Sequence, residues 1–196
     1  MIKSLTILLA ILFLSSHGVN VTVRAQGIKP AGVAIRKDAS IRLKGLDGKF
    51  YDTTAMRGDV LVVSFGATWC TPCNWELVAI EELKEEYAGK PVKFIWVSID
   101  DDRRTSKYLL RQFVKDRGMT ITVLRDPKLE AFLQFFDTER IPAVVFFDRE
   151  GRVALPTHRG MASEISDYKR LVRERVNTLL KNTTDKSSVA DDHAGK

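Results

Sequence analysis

The chain has 196 residues, 44% of them hydrophobic, with 31 Lys and Arg against 25 Asp and Glu for a formal charge of +6. That length and apolar share fit one domain of ordinary size and exclude a chain disordered throughout. Two cysteines exclude a disulfide framework and a four-cysteine zinc site, and no internal run approaches the ~20 apolar residues of a membrane span.

In chain order, Lys3 precedes a short greasy run at residues 5–14 (LTILLAILFL), and Val23-Arg24-Ala25 places small residues at −3 and −1 of a cut after Ala25. Residues 1–25 therefore read as a secretory signal peptide, with an uncleaved anchor tethering the domain outside the membrane as the alternative. No cysteine lies near the cut, which argues against a lipid-anchored lipoprotein. Export, to the periplasm or another extracytoplasmic space, puts the two cysteines where disulfides persist. The basic residues are interleaved with acids, as where Arg103-Arg104 follows Asp100-Asp101-Asp102, so no stripe for nucleic acid forms. Residues 26–37, with Gly27, Pro30 and Gly32, read as a linker, 38–181 as one domain, and 182–196 as a flexible polar tail.

Within the domain, residues 41–43 alternate and Asp47-Gly48 turns the chain into 49–52, a hairpin. Residues 60–67 (VLVVSFGA) form a nearly continuous apolar run, the mark of a strand covered on both faces. A helix follows with Leu77, Ile80, Leu83 and Tyr87 on one face, ended by Gly89. Residues 92–99 make a second buried strand, and a helix at 105–117 carries a stripe of Leu109, Leu110, Phe113 and Val114. A short strand at 121–124 precedes Asp126-Pro127, which read as N-cap and first residue of a helix bearing Leu129, Phe132, Leu133 and Phe136. A strand at 143–147, a turn at 148–151, a strand at 152–155 and a last helix capped by Ser163, with Ile165, Tyr168, Val172 and Leu179 inward, complete the domain. The order predicts an α/β domain with a mixed sheet between helical layers, its two central strands parallel.

Trp69-Cys70-Thr71-Pro72-Cys73 falls where the strand at 60–67 meets its helix. On a first helical turn this spacing puts both sulfurs on one side, close enough for a Cys70–Cys73 disulfide. Unpaired N–H groups and the positive end of the helix dipole favour a thiolate at Cys70, and Pro72 is harmless in a turn whose N–H groups lack helical partners. Cys73, one turn in, is expected to be deeper and less acidic. The asymmetry points to attack by Cys70 on a substrate disulfide and resolution by Cys73. A structural staple closing so short a loop would add little stability. A metal site would need further ligands, which the scattered His17, His158 and His193 do not supply, so neither metal nor cofactor is expected.

The stretch VVSFGATWCTPCNWE resembles the active-site segment of thioredoxin-like proteins, and within them the exported TlpA/ResA/DsbE type of thiol–disulfide oxidoreductase. Arg140-Ile141-Pro142-Ala143 resembles that group's cis-proline loop and 147–151 its following hairpin; the likeness covers about 38–181. It implies a thioredoxin-like three-layer sandwich with the N-terminal hairpin as an extension. It implies a cis Pro142 against the pair, Ile141 backbone groups for an extended substrate, Trp69 as an apolar platform, and Glu76 as the acid that tunes proton transfer. Thr71 and Pro72, between the sulfurs, complete the substrate-contacting set. Trp69 as plain core and Glu76 as an exposed helix residue are the readings that spacing alone leaves open. The likeness also implies protein disulfide or dithiol substrates, an upstream membrane electron donor, a monomer, and a reductant's role such as cytochrome c maturation.

One departure stands out. General cytosolic thioredoxins carry a buried Asp six residues before the first Cys, where this chain has Ser64, so the acceptor for the resolving thiol's proton falls to Glu76 or water. Two rivals share the fold. A peroxiredoxin wants Thr or Ser three residues before its Cys, where Ala67 stands, and a copper-delivery protein wants C-x-x-x-C with a His before the late strand, where Ile141-Pro142 stands.

Overall fold

The computed structural model describes residues 35–190, with side chains as far as 182. The signal segment, all but the end of the linker and residues 191–196 lie outside that range. Seven strands form one sheet in the order β2-β1-β5-β4-β3-β6-β7, comprising β1 (Arg42–Gly45), β2 (Phe50–Asp52), β3 (Val60–Gly66), β4 (Val92–Ser98), β5 (Thr122–Arg125), β6 (Ala143–Phe147) and β7 (Val153–Arg159). The neighbours β3, β4 and β5 are parallel, and β1, β6 and β7 join antiparallel. Residues α1 (Thr71–Glu86), α2 (Lys107–Asp116) and α3 (Ile165–Ala190) supply the helices. This is the thioredoxin-like α/β arrangement, with the β1–β2 hairpin added at one edge.

Alternation along the central strands divides the core. Val60, Val62, Phe94, Trp96, Val144 and Phe146 face one way, toward Leu77, Ile80 and Leu83 of α1, Leu110 of α2, and Tyr168, Val172 and Val176 of α3. Leu61, Val63, Phe65, Ile95, Val97, Val145 and Phe147 face the other way, toward Ile41 and the aromatic group Phe132, Phe135 and Phe136. All three α-helices thus lie on one face, and the second outer layer is irregular chain and 3-10 turn. Phe65 is the centre of that layer, with Phe132 and Phe136 edge-on at ring distances of 5.5 and 6.1 Å.

The helix expected after Asp126 does not form. Leu129 takes a left-handed backbone (φ 60°), and only a 3-10 turn at Phe132–Gln134 follows. The buried Asp126 carboxylate accepts the N–H groups of Ala131 and Phe132 at 3.0 and 2.8 Å, so its side chain organises a loop rather than capping a helix. Two inward assignments also change. Leu109 on α2 is exposed, leaving Leu110 as that helix's buried anchor, and Ile165 is exposed at the start of α3. The polar composition after Lys181 predicts mobile chain, yet α3 runs on to Ala190, since extending a formed helix needs no new nucleus.

Candidate active site

Gly66 ends β3, and residues 67–69 carry the chain to Cys70, the N-cap of α1. The Cys70 sulfur accepts the Cys73 N–H at 3.2 Å and is bonded to the Cys73 sulfur, the two Cα atoms being 5.2 Å apart. Pro72 falls in the first turn, where its missing N–H leaves no gap. Cys70 is 5% exposed and Cys73 is fully buried, so the pair is asymmetric in the expected sense. Across from it the Ile141–Pro142 peptide is cis, Pro142 is buried, and the Ile141 carbonyl oxygen lies 3.9 Å from Cys70 Sγ. Trp69 is 65% exposed beside the sulfurs, not core, and Thr71 is exposed next to a half-buried Pro72. One rim therefore holds Trp69, Thr71, Pro72 and Ile141 around a sulfur that is itself nearly covered.

Glu76 is fully buried on α1, one turn after Cys73. Ser64 Oγ on β3 donates to Glu76 Oε2 at 2.6 Å, and Tyr168 Oη on α3 donates to Oε1 at 2.5 Å. Burial pushes the Glu76 carboxyl up to about 7, and the two hydrogen bonds, which favour its charged form, hold it from rising further. Burial and the nearby Glu76 carboxylate push the Tyr168 phenol well above its ordinary value, so it stays a donor. The residue that replaces the thioredoxin Asp thus serves a carboxyl supplied from the helix instead. Sequence reasoning left Glu76 open between buried acid and surface residue; Ser64 at the Asp position was the available signal.

Two supporting residues have no motif. Asp100, buried just beyond β4, accepts from Thr68 N–H at 3.0 Å, Thr68 Oγ1 at 2.7 Å, Ser98 Oγ at 2.8 Å and Thr105 Oγ1 at 3.2 Å, fixing the loop before Trp69-Cys70. Gly66 lets Cys73 sit against the strand: a Cβ there would lie 2.7 Å from Trp96 Nε1 and 3.3 Å from Cys73 Sγ. Gly66→Ala is therefore expected to lower stability by about 1–3 kcal/mol, as overpacking does, and to displace the Cys73 sulfur. Urea denaturation and the midpoint potential of the pair check both; unchanged values would mean that Trp96 yields without cost. His158, one of the three scattered histidines, is half-buried in β7 with its ring 5.9 Å from that of Tyr168, and burial lowers its pKa. No cluster of three or more potential metal ligands occurs among the described residues.

The Redoxin family matches residues 30–172. The chain belongs to the Redoxin family. The chain is similar to the thiol–disulfide oxidoreductase ResA of Bacillus subtilis, 24% identical over 132 residues, 67% of this chain and 71% of ResA. The thioredoxin-like protein YneN of the same organism is 33% identical over 86 residues, 44% of this chain and about half (49%) of YneN. A solved Chlorobium tepidum structure, a candidate thiol:disulfide interchange protein DsbE, superposes with a TM-score of 0.64 at 22% identity, covering 74% of this chain and 96% of that one; it speaks to the fold. A Redoxin-family chain with an oxidised C-x-x-C pair at a helix start is a thiol–disulfide oxidoreductase.

Proposed function

We propose that the protein is an exported reductant of protein disulfides, with Cys70 as attacking thiol and Cys73 as resolving thiol. The observation that carries this reading is the pair itself: Cys70 at the N-cap, near the surface and facing the Ile141 carbonyl, and Cys73 buried one turn below, within a helical turn of the Glu76 carboxyl. In the reduced protein the Cys70 thiolate attacks one sulfur of a substrate disulfide, forming a Cys70–substrate bond and releasing the other sulfur as thiolate. Cys73 gives its proton to the Glu76 carboxylate and attacks Cys70 Sγ, releasing the second substrate thiolate. Two electrons pass to the substrate, whose thiolates take up protons, and Cys70–Cys73 is left oxidised. The backbone of Ile141 is the edge on which an extended substrate segment aligns, with Trp69, Thr71 and Pro72 as its apolar floor.

Direction follows from how well the reduced pair's thiolate is held. The Cys70 sulfur receives the Cys73 N–H, is 5% exposed, and faces the negative end of the Ile141 carbonyl dipole. A thiolate that gains little from its surroundings favours the disulfide and makes the couple reducing, and the carbonyl that faces the sulfur supports that reading; a strong oxidant needs the opposite. The signal-like residues 1–25 support an extracytoplasmic site, whether cleaved or kept as a tether, and electrons then reach the pair from a donor in the membrane. The resemblance to the TlpA/ResA/DsbE type favours cysteine pairs such as those reduced in cytochrome c maturation, with a monomer acting on a protein substrate. A redox titration in glutathione or dithiothreitol buffers tests the direction: a midpoint below about −200 mV is expected, and one near the −120 mV of a strong oxidant would reverse it.

A further inference from the structure

We infer that Tyr168 on the C-terminal helix is a positioning residue for the reaction, orienting the Glu76 carboxyl toward its exchange with Cys73 through a hydrogen bond that no other element replaces. The inference rests on Glu76 being the proton acceptor of the resolving step. Each oxygen of Glu76 has its own donor, Ser64 Oγ on Oε2 and Tyr168 Oη on Oε1, at 2.6 and 2.5 Å. The two donors approach from β3 and α3, so the carboxyl plane is fixed from both sides while Cys73 lies one turn away on its own helix. Tyr168 is fully buried, as are Val172 and Val176 along the same stripe. Lys169 and Arg173 bind Glu82 and Glu86 of α1 at 2.6 and 2.9 Å, holding α3 on the active-site helix.

The groups facing this centre are few. Ser64 comes from β3, Cys73 from α1, and His158 of β7 lies against the Tyr168 ring; Lys169 and Arg173 point outward to their partners. Burial lowers the pKa of His158 while it raises that of Glu76, so the two groups shift in opposite directions. Among the described residues no cation is paired with Glu76, whose carboxyl accepts from the two hydroxyls. The Tyr168 phenol therefore carries a large share of what keeps the carboxylate accessible near neutrality.

The test measures the rate at which the fully reduced full chain reduces insulin disulfides, from pH 5 to 9, for the native protein, Glu76→Gln and Tyr168→Phe. Losing a hydrogen bond to a charged group moves the carboxylate limb of the Tyr168→Phe profile up by about one pH unit. At pH 7 that is roughly a fivefold loss, regained by pH 9. Because Tyr168→Phe can also loosen the fold, a second protein carries 3-fluorotyrosine in place of Tyr168, whose stronger phenol donor shifts the limb downward instead. A merely structural role would change the melting temperature and leave both midpoints where they are, and that result would overturn the inference. If Glu76→Gln itself retains the limb, the assignment of Glu76 as proton acceptor fails and the Tyr168 role with it. If Glu76→Gln abolishes the limb while both Tyr168 replacements leave its midpoint unmoved, only the Tyr168 role fails.

Discussion

Cys73→Ala is expected to accumulate a covalent mixed disulfide through Cys70 with its protein substrate, and Cys70→Ser to accumulate none. The two sulfurs are chemically alike, so the difference must come from placement. Cys70 caps α1, where the helix dipole and the Cys73 N–H favour a thiolate, and it faces the Ile141 backbone at 3.9 Å. Cys73 is fully buried and lies against Gly66, so an external disulfide has no path to it. Without Cys73 the first attack proceeds and the second cannot, and the intermediate persists. Non-reducing electrophoresis of the two variants, mixed with oxidised insulin or a periplasmic extract, reads the outcome. Both variants lose turnover by several orders of magnitude, since each lacks one of the two sulfurs that the exchange needs. Equal trapping by both would overturn the assignment of roles.

Glu76→Gln is expected to slow resolution by about a hundredfold at pH 7, the usual contribution of a positioned acid–base group. The same substitution has a consequence for stability whose sign follows from the shift. Burial raises the carboxyl from 4.5 to about 7 in the folded protein. Between those values the folded state keeps a proton that the unfolded chain releases. Stability from this group is therefore complete below about pH 4.5 and is lost as pH rises to 7. The loss amounts to about 3 kcal/mol, from 1.36 kcal/mol per pH unit. Glu76→Gln has no such proton to lose. Its unfolding free energy, measured in urea on the oxidised protein, gains about 3 kcal/mol on the native chain between pH 4.5 and 8. A difference between the two proteins that stays constant across that range would show that Glu76 does not titrate there.

Much of this architecture is written in local pattern. The runs at 60–67 and 92–99 declare central strands because both faces of each are covered, and the C-x-x-C after the first of them marks the site by its place at a helix start. The likeness to the TlpA/ResA/DsbE type supplied Pro142 and Glu76, which spacing alone does not. What local pattern misses has a common cause. The segment after Asp126 carries helical periodicity in Leu129, Phe132 and Phe136, but the Asp126 side chain binds the N–H groups of residues 131 and 132 and Leu129 turns left-handed, so a loop-specific interaction outweighs propensity. Tyr168 reads as one more core aromatic on an amphipathic helix, because its partner Glu76 lies 92 residues earlier in the chain. Asp100 looks like the first member of a solvated acidic run, and only the fold brings Thr68 to it. The cis Leu155–Pro156 bond within β7 has no counterpart in the motif that flagged Pro142.

The Asp100 cluster also bears on what happens when the sulfur–sulfur bond opens. Thr68 is moored by its amide and its hydroxyl, and Ser98 and Thr105 close the ring of donors, none of which involves a cysteine. Cleaving Cys70–Cys73 leaves every one of these ties intact. The loop that carries Trp69 to Cys70 therefore has moorings of its own, set by a carboxylate and three hydroxyls rather than by the oxidation state of the pair.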